Sequence, residues 1–143
     1  MAIWRGVKAT AFVAVIVAAG IAALSRTPYR PDAAIAVAQT FVAAASTGRY
    51  ADAMPLVDPA SPLGRDRAAL EAAAQRELCR LDRMTSTSPH QTHGNRWRRQ
   101  LAGRDPDESE VRVEFEGTCL VGVVVRRVGP DDWRVVRFAS HAG

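Results

Sequence analysis

The chain has 143 residues, enough for one domain with its own core. Its 48% hydrophobic and 24% charged residues exclude disorder as the state of the whole chain. Eighteen of the 19 basic residues are arginine, but 15 Asp and Glu are interspersed with them. The net charge of +4 therefore describes a solvated surface and not a nucleic-acid stripe.

The first element is an apolar N-terminal segment. Arg5 and Lys8 precede an uncharged run from Ala9 to Ser25. A membrane-spanning helix needs about 20 apolar residues with a lower limit near 17, and a secretory h-region has roughly 7–15. Residues 1–25 thus read as a signal-anchor, entering the inner membrane through residues 9–25, or as a cleaved signal peptide. Ala23-Leu24-Ser25 is compatible with cleavage, although Arg26 and Pro28 follow it closely, and no cysteine is placed to carry a lipid. Arg5 and Lys8 favour an inside N-terminus, and Arg26 and Arg30 weakly oppose it. The remainder is expected in the periplasm or at the cell exterior, tethered or, if cleaved, secreted.

A Pro-containing linker, residues 26–31, leads into an exported α+β domain, residues 32–143. Asp32 can cap a helix whose apolar residues, Ala34, Val37, Ala38, Phe41, Val42 and Ala45, share one face, and Gly48 ends it. A short helical turn follows, limited by Pro55 and stopped at Asp58-Pro59. A third helix is expected from about Arg65 to Met84, with Leu70, Ala74, Leu78 and Leu81 on one stripe and Glu77 at its border, reaching solvent. The polar segment from Thr85 to Glu110 is too long for a bare loop, so an irregular or edge strand is expected near Arg96–Leu101, with Trp97 and Leu101 on one side.

The last third reads as β. Val111, Val113 and Phe115 alternate with Arg112, Glu114 and Glu116. A second strand carries Cys119, Val121, Val123 and Val125 on one face. A Gly-Pro-Asp-Asp turn returns the chain through "WRVVRFAS". Helices first and strands last predict about three helices packed on a curved antiparallel sheet.

This order of parts resembles the cystatin-like, nuclear transport factor two-like superfamily over residues 32–139. The resemblance rests on "FVAAASTGRYADAMPLVDP", with Gly48 and Tyr50, and on "VVVRRVGPDDWRVVRF", with its Trp133-Arg134-Val135 pattern. Pro55 and the segment 85–110 depart from the pattern. The superfamily includes isomerases and dehydratases as well as non-catalytic members that dock other proteins, so fold alone does not choose between them. Small membrane-anchored members resemble assembly factors of envelope transport and secretion machines, and the resemblance implies such a role here.

The residues themselves offer little chemistry. No nucleophile elbow, phosphate loop, dinucleotide fingerprint or zincin helix occurs, and no cofactor is implied. His90-x-x-His93 supplies two potential metal ligands with no cysteine pair nearby. Tyr50, Glu77 and Trp133 could line a cone-shaped pocket. Arg96, Trp97, Arg98 and Arg99 form a cationic-aromatic cluster suited to anionic lipid or an acidic partner, since nucleic acid is improbable outside the cytoplasm. The leading expectation is a non-catalytic envelope protein, tethered to the inner membrane, that docks or scaffolds partners of a transport or secretion assembly. The alternatives are a small-molecule-binding or isomerase-like cone domain and a cleaved, secreted inhibitor-like protein. Cys79 and Cys119, the only cysteines, are expected to pair in an exported chain and to tie the third helix to the sheet.

Overall fold

In the computed structural model, residues 3–141 are described, with side chains described from residue 13 onward. In chain order the helices are α1 (Ile3–Arg26), α2 (Asp32–Ala45), α3 (Tyr50–Ala53), α4 (Arg67–Glu77) and α5 (His93–Leu101). The strands are β1 (Pro28–Tyr29), β2 (Leu81–Ser88), β3 (Gln91–Thr92), β4 (Glu110–Gly117), β5 (Leu120–Arg127) and β6 (Trp133–His141). Two compact units result, one from residues 3–29 with His90–Asp107 and one from Arg30–Pro89 with residues 108–141. The segment from His90 to Asp107 leaves the larger unit between β2 and β4 and clusters with the N-terminal helix.

The larger unit is α+β, as its sequence pattern predicts. Its sheet has the order β2-β4-β5-β6, antiparallel throughout. The inner face is laid down by alternation: Val111, Val113 and Phe115 from β4, and Val121, Val123 and Val125 from β5, are all buried. In β6 the register skips Val136 opposite Val124 and Val125, a bulge that turns Phe138 inward after Trp133 and Val135. Phe138 meets Phe41 of α2 with ring centroids 5.3 Å apart. Helix α2 buries Ala34, Ala38, Phe41, Val42 and Ala45 of the anticipated face, together with Ile35 and Ala44, while Val37 is only partly buried. Each fully buried valine contributes roughly 1.5–3 kcal/mol by its removal from water. Gly48 takes a φ of +75° just past the helix, the left-handed conformation that glycine adopts without strain.

Two sequence expectations are corrected here. The third helix does not run from Arg65 to Met84. It is α4, it ends at Glu77, and Leu78 is extended with ψ 135°. Leu78 and Leu81 continue the apolar spacing, but β4 claims the chain beyond them as the edge strand β2, pairing Leu81 with Gly117 and Ser88 with Arg112. The segment around Arg96–Leu101 is not an edge strand but helix α5. Thr92 caps it by accepting the Asn95 N–H through its hydroxyl oxygen at 3.3 Å.

In the smaller unit, β1 pairs antiparallel with β3, so Pro28 and Tyr29, placed in a linker by the sequence, are strand residues. The backbone N–H of His93 donates to the Thr27 carbonyl at 3.1 Å. Among the described residues, no helix is long and apolar enough to cross a membrane. The expected run begins at Ala9, and residues 9–12 are among those whose side chains lie outside the described ones.

Candidate functional site

The smaller unit holds the arrangement with the most surface chemistry, and it is built around helix α5. Gly94, in its first turn, lies against the end of α1, where an added Cβ would meet the Ser25 carbonyl oxygen at 2.7 Å. Only glycine permits that approach. The rings of His93 and Tyr29 meet edge-on with centroids 5.7 Å apart, and the Arg96 guanidinium lies over the Tyr29 ring, 3.7 Å from its centre. Arg96 also pairs with Asp107 at 2.8 Å, both side chains being less than a quarter exposed. Arg99 donates to the Asp105 carbonyl at 2.8 Å.

The expected cluster of Arg96, Trp97, Arg98 and Arg99 is thereby divided. Arg96 and Arg99 hold the chain that leaves the helix. Trp97 and Arg98 face outward, and Leu101, one turn from Trp97, is 88% exposed. Arg98 hydrogen-bonds the Asn95 side chain, a neutral partner. Trp97, Arg98 and Leu101 line a cavity of about 470 Å³ with Ser25, Arg26, Thr92 and Gly94, and no carboxylate is in its wall. Arg26 and Leu101 were not part of the sequence-derived cluster. The capping pattern Thr92-x-x-Asn95 is the signal that turns the segment into a helix and brings in Leu101; Arg26, at the end of α1, carries no local signal of its place.

In the larger unit, the expected pocket residues Tyr50 and Trp133 pack with one hydrophobic core. Trp133 is buried in the core and Tyr50 packs at its margin. Cavities of about 440 and 330 Å³ in this unit are lined by other residues. Glu77 stays partly exposed at the border of its helix, as expected, and is also tied to β6. Its carboxylate accepts from the Ser140 backbone N–H at 3.0 Å and the Ser140 hydroxyl at 2.9 Å, with Arg76 at 2.9 Å. The Ser140 N–H, then Arg76 and the Ser140 hydroxyl, pull its pKa from 4.5 down to about 2. A carboxylate held so firmly ionised is a structural tie and a poor general acid at neutral pH.

Cys79 and Cys119 form a disulfide with Cα atoms 6.1 Å apart. Its setting differs from the expected helix-to-sheet tie. Cys79 lies two residues past α4, and Cys119 lies in the turn joining β4 to β5, so the bond staples the entry of β2 to that turn. Among the described residues, no group of three or more His, Cys, Asp or Glu side chains is arranged to hold a metal ion. Comparison with known proteins finds no matching family model, no matching curated protein and no matching solved structure.

Proposed function

We propose that the chain is a non-catalytic envelope protein, tethered to the inner membrane by residues 9–25, whose larger unit docks or scaffolds partners of a transport or secretion assembly outside the cytoplasm. The observation that carries the tether is the state of α1. Val13, Val15, Ile16, Val17, Ile21 and Leu24 are each more than half exposed, and at 100° per residue Val15 points away from Val13 and Val17. An apolar helix uncovered on several sides is unfavourable in water and suits the interior of a bilayer. The disulfide supports an oxidising compartment. The helix-then-sheet order of the larger unit supports the cystatin-like resemblance and a docking role. A catalytic or ligand-binding cone draws no support from Tyr50, Glu77 and Trp133, which share no cavity described above.

Fractionation of cells producing the full chain tests the tether. The protein is expected in the membrane fraction, resistant to alkaline carbonate, with an intact N-terminus by mass spectrometry and with the larger unit open to protease added outside the inner membrane. A soluble protein beginning after Ser25 would replace this reading with the secreted one. Partners are then sought by cross-linking before extraction, and capture that survives unfolding of the larger unit counts against docking by that unit.

A further inference from the structure

The cavity where α5 meets the end of α1 has a chemistry that the tether alone does not use. Its two cations, Arg26 and Arg98, have no carboxylate partner among the described residues, and none of its wall residues is acidic. The Thr92 oxygen accepts the Asn95 N–H and leaves the hydroxyl proton to be donated elsewhere. On the same surface stand Trp97 and Leu101, 38% and 88% exposed. An outward tryptophan and leucine one helical turn apart, beside a cavity lined by two arginines, is the composition of a membrane interface. The site is rigidly built, because Gly94 seats α5 on Ser25 and Arg96 is engaged by Tyr29 and Asp107.

We infer that this cavity is a phospholipid headgroup site: Arg26 and Arg98 take the phosphate of an anionic phospholipid of the bilayer that α1 enters, and Trp97 and Leu101 lie at the level where the acyl chains begin. The inference rests on the tether reading. It commits to lipid because the apolar surface of Leu24 and its neighbours on α1 adjoins the cationic cavity at Ser25 and Arg26, so one bilayer covers both. Free phosphate would satisfy the arginines and leave the apolar side chains wet. Each arginine near an anionic surface favours binding by about fivefold, and the pair by roughly thirtyfold.

The test uses the full chain reconstituted in nanodiscs of phosphatidylcholine doped with brominated phosphatidylglycerol or, at the same fraction, brominated phosphatidylcholine. Trp97 fluorescence is isolated as the difference between the wild type and Trp97→Phe, since Trp4 and Trp133 remain. Quenching of Trp97 is expected with both lipids and more strongly with the anionic one. In the double variant R26Q/R98Q the two lipids are expected to quench equally, with Trp97 still quenched. Trp97 untouched by either brominated lipid in a disc-bound protein overturns the inference and leaves the tether standing. An anionic preference that persists in the double variant overturns the assignment of the arginines. A chain that never enters discs sinks the tether reading, and the headgroup site with it.

Discussion

Glu77 shows how single contacts set the behaviour of a group whose distant partner the sequence does not reveal. An acid in the last turn of a helix faces the negative end of the dipole, which disfavours its charge. Two donors from Ser140 and the neighbouring Arg76 outweigh that effect and carry the pKa down to about 2. A lowered pKa means that the unfolded chain takes up a proton first, so the stabilisation is complete above about 4.5 and is lost as pH falls toward 2. Glu77→Gln is therefore expected to flatten the fall in urea midpoint between pH 5 and pH 2 relative to the wild type. Equal slopes for the two proteins would show that the Ser140 contacts do not bind the charged form preferentially. The signal was out of reach in the sequence, because Ser140 lies 63 residues away.

At the scale of elements, the misassignments share a physical origin. Residues four apart lie on one face of a helix and also on one face of a strand. Trp97 and Leu101 therefore look alike under both periods, and the capping Thr92 was the discriminating residue. In α4 the stripe Leu70, Ala74, Leu78 and Leu81 extends past the true end of the helix, because the pairing of β2 with β4 overrides local spacing. The disulfide closes this corner by joining the β2 entry to the β4–β5 turn across a separation of 40 residues. The loop-closure model places its contribution at up to about 4 kcal/mol. Replacing both cysteines with serine is expected to lower the unfolding free energy toward that limit in denaturant titration. In the wild type, alkylation of the denatured, non-reduced protein is expected to modify neither cysteine.

For the whole molecule, the division into two units has a testable consequence. Every residue of the hydrophobic core cluster lies between Ala34 and Phe138 in the larger unit, and none comes from His90–Asp107. Ser88 is already the antiparallel partner of Arg112, so β2 and β4 can be joined by a short hairpin loop. A chain beginning at Arg30, with His90–Asp107 replaced by a Gly-containing turn, is expected to retain its disulfide and a single cooperative thermal transition. A broad transition without a folded baseline would mean that the core needs the excised segment.

The sequence by itself determined the apolar N-terminal run, the first helix of the larger unit with Gly48 at its end, the three closing strands and the cysteine pair. Each of these is written in local periodicity, composition or count. Tertiary structure alone decided where α4 stops, that Leu81–Ser88 is an edge strand, that Phe138 turns inward at a bulge, and that Arg96 and Arg98 have different work. Those outcomes depend on partners distant in sequence, such as β4 for β2 and Tyr29 and Asp107 for Arg96. Pairing energy between distant segments exceeds the small local preferences that a sequence pattern records.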